Sequence, residues 1–359
     1  MPNLMPLPIK KTDTRYIRST FWRYSLPAIS AMLVNGLYQI VDGIFIGRVI
    51  GYTGLAAINM TWPIIIGLAG LGIMVGIGAG SLLSIRQGKA SQEKTENDSD
   101  NINLLLTSFY LMLLLGLVSF FLLHYLSDAL LTLQGGSLEG ISLAQSYLSW
   151  FSLGGVISIL AAAFPLLIRN DNSPLLATGL MGLGALINIF LDYLFISRFG
   201  FGLEGAALAT LSAQLIVSLL GIIYFFSDYS TKPFKAKPHA EKTPISAFQF
   251  DVILAKKITL LGSSSLIIYL YTSIMVALHN ALFMQYGDAL TVGAYAIVSY
   301  LMVLYYFVAE GIADGAQPPV SYFYGAKRTF DIKALIALSI KVTLVAGFSW
   351  TLLLNVFPS

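Results

Sequence analysis

The chain has 359 residues, of which 56% are hydrophobic and only 11% are charged, and its mean hydropathy is +0.76. A soluble globular protein has about 25% charged residues, so this composition excludes that class and predicts an all-α integral membrane protein. The net charge of +3 does not indicate a nucleic-acid partner, and the absence of cysteine excludes disulfides and thiolate metal sites.

Apolar runs separated by polar breaks predict nine membrane-spanning helices. Several of them exceed the length needed to cross a bilayer, which indicates tilted, kinked or protruding helices. The first eleven residues are polar and rich in proline, and no small-residue cleavage site follows them, so we expect no cleaved signal peptide. The predicted spans are residues 21–47, 55–86, 101–126, 140–168, 175–197, 203–227, 252–286, 290–323 and 331–357.

Basic residues predict the orientation of these helices. When the N-terminus is placed in the cytoplasm, all 21 Lys and Arg residues except Arg48, Arg198 and Lys341 fall on the cytoplasmic side of the membrane. Cytoplasmic loops of membrane proteins carry such an excess of positive charge. We therefore expect a multi-pass protein whose N-terminus is cytoplasmic.

The longest polar break, residues 229–250, is rich in Lys and Pro and is typical of a cytoplasmic linker. It divides the chain into an N-lobe of six helices, residues 1–228, and a partial C-lobe of three helices, residues 251–359. An internal repeat supports this division, because a shift of 237 residues places Gly315 on Gly78 and Gly325 on Gly88.

Parallel repeats of this kind are typical of carriers that alternate access between two bundles. A closed two-fold design would have twelve helices, so we expect that three helices of such a design are missing. An incomplete bundle would leave some polar interior faces open to lipid.

The first predicted span carries a polar face. Asn35, Tyr38, Gln39 and Asp42 are spaced so that they share one side of a helix. A charge within a membrane span is costly, so Asp42 indicates a functional site that faces the bundle interior or a water-filled cavity. Pro27, earlier in the same span, removes one backbone hydrogen bond and makes this helix easy to bend.

A second polar group lies in the fifth and sixth predicted spans. Asn188 and Asp192 are four residues apart on one helix face, and so are Thr210 and Gln214. Together with Asp42, three of them (Asn188, Asp192 and Thr210) would supply hard oxygen ligands for Na+ or for a proton relay. A single buried Asn or Thr more often makes a hydrogen bond between helices, whereas two aspartates in separate spans favour a functional site.

Asn35, Tyr38, Gln39 and Gln214 are candidates for lining a cavity, and so are three further residues. Glu310 and Asp314 are four residues apart in the eighth predicted span, where they could serve transport or stabilise a kink beside Gly311. His279 occupies the position that the repeat pairs with Asp42, although a lone histidine more often only makes hydrogen bonds. No motif of a hydrolase, a metalloprotease or a nucleotide-binding loop is present, so we expect neither an enzyme nor a cofactor beyond the coupling ion.

Several stretches resemble the multidrug and toxic compound extrusion (MATE) family: VDGIFIGR in the first span, NIFLDYLFI in the fifth and GAQPPVSYFYGAK in the eighth. The resemblance implies two six-helix lobes and export of cationic or amphipathic compounds in exchange for Na+ or H+. It also implies that Asp42 is the essential acid of the first helix and that Pro27 is the proline associated with its bend. Asn188, Asp192 and Thr210 match the cation-site pattern of the DinF-like branch.

The NorM-like branch of the family looks different, because it carries a glutamate in helix seven and an aspartate in helix ten. Residues 262–284 of this chain contain no acid, which favours the DinF-like branch. The resemblance therefore implies a secondary active multidrug efflux transporter of a bacterial-type inner (cell) membrane, with small lipophilic cations as substrates. A cation would neutralise Asp42 and Asp192, alter the first helix near Pro27 and weaken drug binding.

Two other functions stay open at this point. One is a truncated remnant that does not transport, which the early end of the second lobe favours. The other is a flippase for a lipid-linked sugar, because such carriers have a related two-lobe plan. A flippase would need several Arg or Lys side chains in its cavity, and the predicted spans show only Lys341.

Overall fold

The structure is a computed structural model that describes residues 13–93, 98–134, 138–227, 230, 250–286 and 289–356. These residues form ten α-helices and one π-helical segment, and they contain no strand. Seven helices among them are long and apolar enough to cross a membrane, and one bent pair of helices provides an eighth span. The chain is therefore an all-helical, multi-pass membrane protein.

Helices occupy all nine predicted spans, although the helix over residues 290–323 is not among the eight described spans that qualify by length and hydropathy. Each predicted span coincides with one long helix, with one bent pair, or with a helix that a π-helical segment, Tyr193–Arg198, extends. The helices are α1 (Thr14–Val49), α2 (Tyr52–Glu93), α3 (Asp98–Leu133), α4 (Leu138–Leu153), α5 (Gly155–Asn170), α6 (Pro174–Asp192), α7 (Gly202–Phe226), α8 (Val252–Tyr286), α9 (Ala289–Gly325) and α10 (Thr329–Val356).

The fourth predicted span is broken in two. Helices α4 and α5 meet at Gly154 and are bent by 66° relative to each other, whereas the sequence predicted one uninterrupted helix. Two consecutive glycines, Gly154 and Gly155, lie at the break, and such pairs are a known cause of sharp kinks. A Cβ atom at Gly154 would lie 2.4 Å from the end of the Leu211 side chain of α7, so that side chain would have to move if a larger residue replaced the glycine.

The internal repeat is visible where α2 crosses α9. A Cβ atom at Gly88 would lie 2.0 Å from the carbonyl oxygen of Tyr322, and a Cβ atom at Gly325 would lie 2.0 Å from the carbonyl oxygen of Ile85. The shift of 237 residues relates Gly88 to Gly325 and Ile85 to Tyr322. The two close approaches are thus equivalent under the repeat, as a two-fold arrangement of the halves requires.

We keep the names N-lobe for α1–α7 and C-lobe for α8–α10. The predicted linker lies outside the described residues except for Ser230 and Phe250. The lobes meet mainly where α1 packs on α9 and where α2 packs on α8 and α9. In the second of these contacts, a Cβ atom at Gly262 of α8 would lie only 1.9 Å from the carbonyl oxygen of Met74.

The main hydrophobic core lies mostly inside the N-lobe, centred on α2, α3, α5 and α7, and it extends to Leu254, Ala255 and Ile258 of α8. The most apolar window of α2 is 56% buried, whereas the corresponding windows of α8 and α10 are each 6% buried. Among the described residues, these two C-lobe helices therefore present most of their surface outward.

Candidate functional site

Two carboxylates from separate helices meet near the ends of α1 and α6. Asp42 lies in the last third of α1, and Asp192 is the last residue of α6. The two side chains are close enough for direct electrostatic interaction. Asp192 is fully buried and Asp42 is half-buried. The packing of α1 against α6 brings the two acids together.

Asn188 and Thr210 complete the predicted set of ligands. Asn188 lies one turn before Asp192 on α6, and its Nδ2 donates a hydrogen bond of 3.2 Å to Oγ1 of Thr210 on α7. Helices α6 and α7 pack against each other, so this bond spans their interface. The structure thus places all four residues predicted to bind a cation, Asp42 included, in one region.

Two tyrosines line the same region. Tyr38 lies one turn before Asp42 on α1 and interacts electrostatically with both Asp42 and Asp192. Tyr147 of α4 is buried, interacts with the same two carboxylates and shares a hydrogen bond with Thr210. The sequence analysis missed Tyr147, because one tyrosine among 19 in an apolar chain gives no local signal. We call these six residues the carboxylate cluster: Tyr38, Asp42, Tyr147, Asn188, Asp192 and Thr210.

The carboxylate cluster has more acceptors than donors. Four of its oxygens are buried without a hydrogen-bond donor among the described residues, namely Oδ1 of Asp42, both Oδ atoms of Asp192 and Oδ1 of Asn188. A buried polar atom left unpaired costs about 1–3 kcal/mol, and a charged one costs more. Carboxylate and amide oxygens are hard ligands, so a small cation or a proton among them would remove this cost.

A π-helical segment begins directly after Asp192. The amide of Phe199 donates to the carbonyl of Leu194, five residues earlier, instead of the four residues of an α-helix. Such π-helical turns occur frequently at functional sites. The change of helix type therefore falls at the buried acid, where it sets the direction of the chain towards α7.

Pro27 lies inside α1 without ending it, and the helix is continuous from Thr14 to Val49. Oγ1 of Thr178 on α6 donates a hydrogen bond of 2.8 Å to the carbonyl of Pro27. Because proline has no N–H, the hydrogen-bond ladder of α1 lacks one bond at this point. Helix α1 is thus tied to α6 where its own ladder is weakest, and the role of Pro27 in bending stays a prediction.

The polar face predicted on α1 is only partly in the carboxylate cluster. Tyr38 and Asp42 belong to it, and Gln39 reaches it through a hydrogen bond with Tyr38. Asn35 is half-buried one turn earlier on the same face.

Two other predicted cavity residues have partners of their own. Oε1 of Gln214 accepts a hydrogen bond of 2.7 Å from Oγ of Ser158 on α5. Nδ1 of His279 lies 2.7 Å from the carbonyl oxygen of Met275, within the same helix. The first bond joins α5 to α7, the second lies within α8, and neither reaches the carboxylate cluster.

The two acids of α9 also lie outside the carboxylate cluster. Asp314 forms an ion pair with Arg169 of α5 at 3.0 Å, and Glu310 accepts a hydrogen bond from the hydroxyl of Tyr269 on α8. The predicted orientation assigned Arg169 to a cytoplasmic loop. In the structure its side chain is only 1% exposed and belongs to the protein interior.

Known proteins resemble this chain in sequence and in fold. The MatE family model matches residues 27–194, a stretch that contains Asp42, Asn188 and Asp192. Multidrug export protein MepA of Staphylococcus aureus (strain NCTC 8325 / PS 47) is 27% identical over 337 residues, which cover 91% of this chain and 69% of MepA. MepA of Staphylococcus haemolyticus (strain JCSC1435) is 26% identical over 353 residues, which cover 93% of this chain and 73% of that protein.

Solved structures show the same fold. The MATE multidrug transporter DinF-BH, solved in complex with rhodamine 6G, superposes with a TM-score of 0.82 at 25% identity, over 99% of this chain and 78% of that one. The outward-facing conformation of a multidrug resistance MATE family transporter of the MOP superfamily superposes with a TM-score of 0.83 at 24% identity, over 97% and 75% of the two chains. The family model, the curated relatives and the shared helix arrangement point the same way: the chain is similar to MATE transporters in sequence and in fold.

Proposed function

We propose that the chain is a secondary active multidrug efflux transporter that exchanges Na+ or H+ for lipophilic cations. The observation that carries the proposal is the set of four buried, unpaired oxygens of Asp42, Asn188 and Asp192. The relatives named as multidrug export proteins support the direction and the breadth of transport.

The coupling ion would bind within the carboxylate cluster. Two ionised carboxylates that share a buried site repel each other more strongly than they would in water, because the effective dielectric constant there is lower. A bound Na+ or proton removes this repulsion and satisfies the oxygens that have no donor. Asn188 and Thr210 would hold the site in shape, because their mutual hydrogen bond joins α6 to α7.

Occupancy of the site would change the position of α1. Asp42 is the only member of the predicted ligand set on α1, and the hydrogen bond from Thr178 ties α1 to α6 at Pro27. When a cation draws Asp42 towards Asp192, the weak point of the ladder at Pro27 would absorb the movement. Drug binding would weaken as a result, and the substrate would leave.

The available energy is sufficient for such an exchange. A membrane potential of 100 mV supplies about 2.3 kcal/mol for each charge that moves across, and an ion gradient adds to it. We place the transporter in a bacterial-type inner (cell) membrane with its N-terminus in the cytoplasm, as the distribution of basic residues predicts.

The test is efflux of the cationic dye rhodamine 6G, because a solved relative holds this compound. Cells expressing the chain would be compared with cells expressing Asp42→Asn and with cells expressing Asp128→Asn. Asp128 is a matched control, because it is an exposed acid of α3 whose partner is Gln145. We expect Asp42→Asn to insert normally and to lose efflux, and Asp128→Asn to retain it.

Separate Na+ and pH gradients in proteoliposomes would then name the coupling ion. Full efflux by Asp42→Asn would contradict the cation site. No efflux from well-inserted wild-type protein would overturn the transport proposal itself and would favour a form that does not transport.

A further inference from the structure

A buried arginine joins the two lobes far from the carboxylate cluster. Arg169 lies in the last turn of α5, and its Nη1 is 3.0 Å from Oδ2 of Asp314 on α9. Helix α5 belongs to the N-lobe and α9 to the C-lobe. We call this contact the inter-lobe ion pair. The Arg169 side chain is 1% exposed and the Asp314 side chain is 15% exposed, so the pair is largely shielded from solvent.

Arg169 makes less than its full set of contacts. Its Nε and Nη2 are buried and have no partner among the described residues. A second carboxylate, Glu310, lies one turn before Asp314 on α9 and interacts electrostatically with Arg169. The Glu310 carboxylate accepts its hydrogen bond from the hydroxyl of Tyr269. The guanidinium is thus joined to the C-lobe through one nitrogen, in place of the two-contact geometry of the strongest arginine–carboxylate pairs.

Neighbouring polar side chains cross between the lobes at the same place. Nε2 of Gln317 on α9 donates to Oγ of Ser81 on α2 at 3.0 Å. Nδ2 of Asn170 on α5 donates to Oε1 of Gln317 at 2.9 Å. Gln317 lies three residues after Asp314, so the inter-lobe ion pair is one part of a polar contact between the lobes.

This contact lies at the opposite end of the bundle from the carboxylate cluster. The hydroxyl of Tyr24 on α1 donates to Oδ1 of Asn172, three residues after Arg169, at 2.8 Å. At 1.5 Å per residue, Tyr24 and Asp42 are about 27 Å apart along α1. The inter-lobe ion pair is therefore not part of the proposed cation site.

We propose that the inter-lobe ion pair holds the lobes together at the Arg169 end of the bundle, and that the pair must break whenever the lobes separate there. The proposal rests on the proposed transport function only because transport requires lobe movement. A buried ion pair gains little net free energy over its desolvation cost, but removal of one partner leaves an uncompensated buried charge. The intact pair therefore opens readily when both charges regain water, whereas loss of one partner disfavours the closed arrangement.

Cysteine labelling tests this proposal directly, because the chain contains no cysteine. Ser81→Cys places one thiol at a buried position in the contact between the lobes. The rate of its reaction with a maleimide, measured on the purified full chain in detergent, reports how often the lobes separate. We expect Asp314→Asn in this background to raise the labelling rate about tenfold or more.

Asp331→Asn is the matched control. Asp331 is a buried acid paired with Arg328, and both residues lie in the C-lobe, so this variant removes an ion pair that does not cross between lobes. We expect its labelling rate to stay within about twofold of the parent. Arg169→Gln should raise labelling as Asp314→Asn does. The double variant should be labelled no faster than either single variant, because it leaves neither charge buried without its partner.

Retention of the charge separates a specific role from general damage. Arg169→Lys keeps the charge and can make a single contact with Asp314, so its labelling should stay close to that of the parent. Unchanged labelling in Asp314→Asn would overturn the proposal, and so would equal labelling in Arg169→Lys and Arg169→Gln. The assay needs neither substrate nor ion gradient, so its failure would leave the proposed transport function untouched.

Discussion

Gly262→Ala should force the lobes apart where α8 crosses α2. A Cβ atom at Gly262 would lie 1.9 Å from the carbonyl oxygen of Met74, whereas ordinary contacts begin at 3.4 Å. The helices must therefore separate by about 1.5 Å, since the obstacle is main chain and cannot rotate away. Overpacking of a close contact typically costs about 1–3 kcal/mol.

This cost falls on one arrangement of the lobes only. Gly262 belongs to the C-lobe and Met74 to the N-lobe, so the clash exists only while the lobes are together at this crossing. A difference of about 1–3 kcal/mol changes an equilibrium by about 5–150-fold. We expect maleimide labelling of Ser81→Cys to rise by a factor in that range, together with a lower melting temperature of the purified protein.

The matched control is Gly182→Ala on α6, where nothing lies within 4 Å of the added Cβ. The same chemical change should there stabilise the helix by up to about 1 kcal/mol, because alanine has the higher helix propensity. If Gly262→Ala and Gly182→Ala melted at the same temperature and were labelled equally, the close approach of α8 to α2 and the reasoning from it would be refuted.

Four further substitutions, at three residues, probe the neighbourhood of the carboxylate cluster. Tyr147→Phe removes the hydrogen bond with Thr210, which is worth about 0.5–1.5 kcal/mol. It should weaken cation-dependent dye efflux about 2–10-fold, measured as efflux at varied concentrations of the coupling ion. Thr210→Val should weaken it to a similar extent, whereas Thr210→Ser, which keeps the hydroxyl, should not. Gln214→Leu should leave the ion dependence unchanged and lower the melting temperature, because Ser158 loses its acceptor.

The membrane spans could be predicted because their apolar runs are long and are separated by polar breaks. The break at Gly154 was missed, although the glycine pair was a signal, since glycine is common in membrane helices for packing reasons as well. The π-helical segment after Asp192 could not be predicted, because no side-chain pattern distinguishes it from an α-helix and the packing against α7 decides its geometry.

The carboxylates of the cluster could be predicted because a charge in a membrane span stands out against apolar neighbours. Tyr147 and Arg169 show where that signal fails. Tyr147 carries no charge, and only the packing of α4 on α7 brings it near Thr210. Arg169 lies at a predicted helix end, where a basic residue usually faces water, and its burial depends on Asp314, 145 residues later in the chain.

The bend at Gly154 divides one membrane span into two halves that contribute to two different sites. Helix α4, before the bend, carries Tyr147 beside the two carboxylates, and α5, after it, carries Arg169 in the inter-lobe ion pair. The helical hydrogen-bond ladder is interrupted between them, so the angle of this joint can change without breaking a continuous row of bonds. We expect cation binding to change the angle between α4 and α5, and this change to affect the inter-lobe ion pair at the other end of the bundle. The surrounding space tolerates Gly155→Ala, which would stiffen the joint between α4 and α5. This variant should keep the cation site and the inter-lobe ion pair intact, but cation binding should no longer affect the ion pair.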